Sequence, residues 1–429
     1  MLHTLISLAI ILAATAPAVP AAPPGTGLPA FDDHASAAGF LPRAKAEEVG
    51  VSPARLTQLM AEAQASRASA AIVLKDGRVI AERYFDGPAR PLATMSVTKA
   101  IVGLAIGMLL DERKIPSVDA PMSTWLPEWK DDARKARVTV RHVMTHSSGV
   151  GHFLTGPEIY KHPDWVAFAR ALPAEHEPGR QIAYNNAVTQ LLTEVVRQAA
   201  GMPVDRYLDE RLFKPLGIHT WRWNRDRAGN PEGFAGLTLL PRDLARIGAM
   251  LADGGRWQGR QIVSAAYLEA ATTPIAPGGD IGLSWSLAAP RAYVMQTASG
   301  LEVLRQKGLG SLADGLSPLT GRRFRTWSDY MEAAEPLIGQ NGVTVLRPLP
   351  FRGVHWLDEH VGGRVFYHTG WLGQLLLVDP ATRVVAVVMR AQPATEAEWK
   401  VPGEGFNNFR RGAMTLAAPD AADGAGLTP

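Results

Sequence analysis

Ser96-Val97-Thr98-Lys99 sets a hydroxyl and an amine three residues apart, and Lys99 is the only charge between Arg90 and Asp111. From Ala100 to Leu110 the chain is apolar, with Gly103 and Gly107 on the way, as in a helix buried on every side. Positions i and i+3 of a helix share a face, so the Lys99 amine can reach the Ser96 hydroxyl. Burial disfavours an ammonium and lowers a lysine pKa by up to ~3–5 units, and the positive end of the helix dipole pushes the same way. A lysine so placed becomes the neutral base that a serine nucleophile needs. The same four residues also fit an ordinary core lysine paired with a carboxylate, so the rest of the chain must decide.

Such a pair needs a further group to move protons and donors to hold an oxyanion. Pro178-Gly179-Arg180-Gln181-Ile182-Ala183-Tyr184-Asn185-Asn186 places a tyrosine and an amide at the mouth of a helix predicted over Ala187–Ala200. Tyr184 there can face a cleft, and Asn186 can hydrogen-bond Lys99 or a substrate. His368-Thr369-Gly370-Trp371 closes a strand predicted over Arg364–His368. Glycine at 370 lets main chain lie close to a ligand, and the strand edge can offer N–H groups, that of Trp371 included, to a reacting carbonyl.

The elements that must carry these residues follow from periodicity and punctuation. Ser52-Pro53 starts a helix running to Ala65. Ala70–Leu74 and Arg78–Phe85 read as strands joined at Asp76-Gly77, a strong hairpin signal. From Ser96 to about Ala271 the chain reads as mostly helical, with helices over Pro163–Ala171, Ala187–Ala200, Val204–Arg211 and Pro241–Leu251. Strand character returns at Gly282–Leu287, Arg364–His368, Gln374–Val378 and Arg383–Arg390, and a last helix is predicted over Asn407–Ala417. The expectation is an α+β fold: one antiparallel sheet from both chain ends, flanked by terminal helices, with a helical lobe (about 90–275) inserted and a cleft at the junction. Some 70 residues between Trp285 and Trp356 form an insertion (about 286–355), with a helix near Trp327–Ala334. It reads as a lid, a partner-binding insertion or a solvated excursion.

Composition narrows the function classes. The chain has 429 residues, 46% hydrophobic and 20% charged, an ordinary globular balance. A net charge of +3 is no basic surface, and Arg322-Arg323-Phe324-Arg325 is too short for a nucleic-acid footprint, so no nucleic-acid partner is expected. Without cysteine there is no disulfide, thiolate metal site, cysteine nucleophile or acylated lipoprotein N-terminus. Leu5–Ala14 is an apolar core followed by Ala16-Pro17-Ala18, so residues 1–22 are expected to be an export signal, with a flexible leader to residue 44 and a disordered tail over 419–429. That core is too short to span a bilayer stably, so a periplasmic or secreted protein is expected, an uncleaved anchor being the alternative. His142 and His146 stand four apart, but Val143 occupies the glutamate place of a His-Glu-x-x-His site, so no metal is expected. No Gly-rich phosphate loop follows a strand, and the chemistry needs no cofactor.

The three elements in this order resemble the serine β-lactamase and penicillin-binding protein superfamily, and most nearly the branch of class C β-lactamases, family VIII carboxylesterases, D-amino-acid peptidases and 6-aminohexanoate-dimer hydrolases. Lys75-Asp76-Gly77, Thr139 to Gly149 and Phe213-Lys214-Pro215-Leu216-Gly217 resemble it too, so the likeness covers roughly residues 45–285 and 355–415 of a domain expected over 45–418. The resemblance implies Ser96 as acylated nucleophile and Lys99 as its base. It implies Tyr184 as proton shuttle, Asn186 as the amide that steadies Lys99, and the N–H groups of Ser96 and Trp371 as oxyanion donors. His368 stands where penicillin-recognising members usually carry the lysine of Lys-Thr-Gly, and Trp371 adds apolar bulk as in esterase members; His368, Thr369 and Gly370 are substrate-side candidates. The implied function is a carboxylesterase working through a Ser96 acyl-enzyme on a small ester, amide or peptide. The alternatives are a D-amino-acid peptidase or β-lactamase-type amidase, or a non-catalytic acyl- or peptidoglycan-binding sensor.

Overall fold

The computed structural model describes residues 41–151, 157–275, 280–288, 293–295, 297–324, 327–346, 356–357, 365–393 and 404–417. The expected export signal and the tail lie outside these residues, as does nearly all of the leader. The chain divides into two compact units, one built on Ala93–Leu239 and the other on Leu41–Leu92, Leu240–Arg390 and the chain from Pro402. Among the described residues no helix is long and apolar enough to cross a membrane.

The second unit holds a six-stranded antiparallel sheet in the order Arg78–Tyr84, Ala70–Lys75, Val384–Met389, Gln374–Asp379, Val365–Gly370, Ser286–Ala288. Strands from both ends of the chain thus lie side by side, as the apolar runs predict. Ala71, Val73, Leu375, Leu377, Ala386 and Val388 point to one face. There they meet Leu56, Leu59, Met60 and Ala63 of the Pro53–Ala65 helix and Phe406, Phe409 and Ala413 of the Glu404–Thr415 helix. Ser52 caps the first of these helices, its side chain accepting from the Arg55 N–H. The opposite face carries the Pro241–Ala252 helix, so the central strands are buried on both sides and read as unbroken apolar runs.

Two sequence expectations need correction in this unit. The strand predicted from Gly282 begins only at Ser286, because Leu283 N–H bonds the Ala271 carbonyl at 2.9 Å and Gly282 N–H turns back to Trp285 O at 2.9 Å. The helix predicted near Trp327–Ala334 runs on to Leu346, broken at Gly339. With the helices Ala298–Gln306 and Gly310–Leu316 it forms its own apolar cluster of Leu301, Leu304, Leu312, Leu316, Tyr330, Ala334 and Leu346.

In the first unit the Val97–Asp111 helix is buried from Val97 to Leu109, as its apolar circumference requires. It packs against the Asn186–Ala200 helix. This unit is not purely helical: Trp221–Trp223 and Leu237–Leu239 pair as antiparallel strands. Leu237 is held extended by the turn ahead of Ser96. Thr94 N–H and Oγ1 both donate to its carbonyl at 2.8 and 2.9 Å, and its own N–H donates to Thr98 Oγ1 at 3.2 Å. The predicted Val204–Arg211 helix stops at Leu208 and continues as a wider turn over Asp209–Phe213, with Lys214 N–H bonded to Asp209 O at 2.9 Å.

Gly248 shows how closely the Pro241–Ala252 helix lies on the sheet. A Cβ there would sit 2.4 Å from Val385 Cγ1 and 3.0 Å from Leu376 Cδ1. Gly248→Val should therefore destabilise the protein by about 1–3 kcal/mol, read as a lower urea midpoint at unchanged slope. An unshifted midpoint would mean that the helix moves off the sheet without cost.

Candidate active site

Ser96 stands at the start of the Val97–Asp111 helix, after Met95 with φ 50°. A positive φ is costly for a side chain of this kind, and strain of this sort gathers where geometry is fixed for function. One turn on, Lys99 is 1% exposed, and its Nζ lies 3.1 Å from Ser96 Oγ. The amine also donates to the Phe234 carbonyl at 2.9 Å. Tyr184 O–H donates to Ser96 Oγ at 2.7 Å, and Lys99 Nζ sits 4.7 Å from the centre of the Tyr184 ring. One serine oxygen thus meets an amine and a phenol, all within the first unit.

Burial decides the protonation of each partner. It drives the Lys99 amine well below the ordinary lysine range, with the field of Glu232 opposing it. Burial also pushes the Tyr184 phenol up to about 12, against the Ser96 hydrogen bond. At neutral pH the phenol therefore keeps its proton and is a donor, while burial favours the neutral form of the amine. A neutral amine has two N–H groups and one lone pair. With one N–H on Phe234 O, the lone pair can turn to the serine hydroxyl.

Tyr184 is held by its neighbours on either side. Ala183 N–H donates to the His146 carbonyl at 2.8 Å, and Asn185 N–H donates to His146 Nδ1 at 3.3 Å. The His146 ring lies 4.5 Å from the Tyr184 ring. Asn185 caps the next helix, Oδ1 accepting from Val188 N–H at 2.9 Å, and its Nδ2 donates to Val150 O at 3.1 Å. The stretch around His146 is thus a platform for the tyrosine. His142 Nδ1 likewise accepts the Thr139 N–H at 3.1 Å, so both histidines are engaged with main chain.

Asn186 is the first residue of the Asn186–Ala200 helix. The other sequence candidates belong to the second unit. His368, Thr369 and Gly370 end the Val365–Gly370 strand, and the ladder to Ser286–Ala288 stops at Tyr367. His368 is buried, with Nδ1 2.8 Å from the Thr369 carbonyl, and Trp371 is 40% exposed. Sequence reasoning missed Phe234, whose contribution is a main-chain oxygen, and the buried Glu232. It weighed His146 only as a metal ligand and not as the support of Tyr184.

A buried amine and a phenol meet on one serine oxygen, in an α+β fold with a sheet from both chain ends, an arrangement with the groups that acyl transfer uses. The chain belongs to the Beta-lactamase family, whose model matches residues 54–401. That family comprises serine hydrolases. The chain is 27% identical over 232 residues to the esterase EstB of Burkholderia gladioli, covering 47% of this chain and 58% of that protein. It is 26% identical over 243 residues to the 6-aminohexanoate-dimer hydrolase of Paenarthrobacter ureafaciens, covering 50% and 59%. The chain thus spans under two thirds of the length of both relatives. A solved penicillin-binding protein homologue from Caulobacter crescentus shares the fold at TM-score 0.53 and 19% identity, covering 86% of this chain and 98% of that one.

The depressed Lys99 amine has a thermodynamic sign. Between its folded value and the ~10.4 of an unfolded lysine, the unfolded chain binds more protons, so wild-type stability rises with pH. Lys99→Met removes that burden while keeping bulk. Its melting temperature should exceed that of wild type by several degrees at pH 6, with the gap narrowing towards pH 10. A gap that did not change with pH would mean that folding leaves the proton affinity of Lys99 unaltered.

Proposed function

We propose that this protein is a serine hydrolase that cleaves carboxylic esters through an acyl-enzyme on Ser96. The observation that carries the reading is the pairing of Ser96 Oγ with Lys99 Nζ at 3.1 Å and Tyr184 O–H at 2.7 Å, the amine being buried. Lys99 takes the hydroxyl proton as the Oγ–C bond forms and the carbonyl oxygen becomes an oxyanion, which the Ser96 N–H helps to hold. Collapse breaks the bond to the leaving alkoxide. Tyr184 gives that alkoxide a proton and is refilled from Lys99. Water then attacks the acyl carbon, surrendering a proton to the same pair, and Ser96 leaves as the hydroxyl.

The preference for esters rests on His368 and Trp371. By the family resemblance, His368 stands where penicillin-recognising members carry the lysine that helps bind a substrate carboxylate. By the same resemblance, Trp371 carries the apolar bulk of esterase members, which suits an apolar acyl group. The likeness to the esterase EstB supports the same choice, while the likeness to the 6-aminohexanoate-dimer hydrolase keeps amides as the second reading.

Hydrolysis of p-nitrophenyl butyrate by the purified protein should fall at least about 10³-fold in Ser96→Ala. A fluorophosphonate should add one probe mass to wild type and none to the variant. Turnover surviving in Ser96→Ala would end the reading, and turnover of D-alanyl peptides but not butyrate would favour the amidase. His368→Lys should lower KM for carboxylate-bearing esters and leave neutral esters as they were. An unchanged KM for both would remove His368 from substrate choice.

A further inference from the structure

Glu232 is a carboxylate with 2% exposure that the acyl-transfer scheme does not use. Its surroundings are built for it. Tyr160 O–H donates to Oε1 at 2.6 Å and Asn224 Nδ2 donates to Oε2 at 3.3 Å. The main chain on both sides is clamped by Gln190 of the Asn186–Ala200 helix, whose Nε2 donates to Pro231 O and whose Oε1 accepts from Gly233 N–H, each at 2.8 Å. Trp223 Nε1 donates to the Glu232 carbonyl at 2.8 Å. A Cβ at Gly236 would come 2.6 Å from Glu232 Cβ, so glycine there makes room for the side chain. Two residues after Glu232, Phe234 offers its carbonyl to Lys99. One short segment therefore brings a hydrogen-bond acceptor and a buried carboxylate to bear on the same amine.

We propose that Glu232 is the buried counter-charge of Lys99, a positioning residue that governs how readily the amine takes the Ser96 proton. The inference rests on Lys99 being the base. When Lys99 accepts that proton, an ammonium appears in a site that water does not screen, and an unpaired buried charge is costly. The groups against the amine are Ser96 on its own helix, Tyr184 from the loop before Asn186 and the Phe234 carbonyl, while Glu232 of the same clamped segment acts on it through its field. Of these Glu232 is the one carboxyl, the group that can turn negative as Lys99 gains its proton, since the phenol of Tyr184 holds its own. Tyr160 and Asn224 supply the two donors that favour the carboxylate form. Burial holds the Glu232 carboxyl above the ordinary carboxylate range, with Tyr160, Asn224 and Lys99 opposing it. The same burial pushes Lys99 down, and Glu232 draws it back.

Removing the carboxylate then has two opposed effects. The amine holds its proton less firmly, so it stays neutral to lower pH. The ammonium formed during acylation loses its partner, so the plateau rate falls.

The test is the pH dependence of fluorophosphonate labelling of Ser96 in the full chain, read by intact mass, for wild type, Glu232→Gln, Glu232→Asp and Tyr160→Phe. In Glu232→Gln the acid limb should move down by about one pH unit or more, with a plateau about tenfold lower if one unit of coupling is expressed in the transition state. Glu232→Asp should recover part of both. Should Glu232→Gln fail to fold, Tyr160→Phe carries the test. Loss of that donor leaves Glu232 less ionised, so its limb should move the same way by less. An acid limb that stays at the wild-type position in the folded variants overturns the proposal, as does a lower plateau with no movement of the limb. Wild type that does not label at Ser96 would instead refute the acyl-enzyme reading itself.

Discussion

The chemistry proposed for Ser96 depends on taking one lysine amine out of water. An exposed lysine beside a serine is a proton donor and leaves the hydroxyl inert. Lys99 sits on a helix with no polar face and is sealed beneath aromatic side chains, so its charged form is the one penalised. The all-apolar circumference of Val97–Leu109 is therefore chemistry as much as packing. A helix with one solvated face would give the same serine–lysine spacing and no base.

Placing an amine in such surroundings leaves its N–H groups to be satisfied, and the chain does so with main chain. Phe234 O takes one of them, and the strand after it is tied through Leu237 to Thr94 and Thr98, which flank the nucleophile turn. Tyr184 is fixed in a similar way, by bonds from the peptide groups on either side of it to His146. Precision at the serine oxygen thus comes from backbone anchors that cross more than a hundred residues of sequence in one case and about forty in the other.

This explains what could be read from sequence and what could not. The Ser96–Lys99 relation was legible because it is local: one helix and a spacing of three. The sheet was legible because its strands are runs of apolar residues bounded by turn signals, as at Val384–Met389. Tyr184 became visible only through likeness to a family, since nothing about a tyrosine before a helix marks it out. Phe234 was invisible because its contribution is a carbonyl, which every residue has. Glu232 looked like any loop glutamate, for its burial arises only when Gln190, Trp223 and Tyr160 close around it. The short strand at Leu237–Leu239 escaped notice for the same reason, its extended form being imposed by Thr94 and Thr98 and not by its own composition.

The helix that carries Ser96 and Lys99 has a consequence for the life of the chain before it is folded. With no polar face, that helix has no stable place until its neighbours surround it, and until then Lys99 is an ordinary ammonium with a pKa near ~10.4. The serine beside it is then as unreactive as any other. Under the proposed mechanism Ser96 gains its reactivity only once that helix is enclosed, so a partly melted molecule carries no activated serine to be acylated at random.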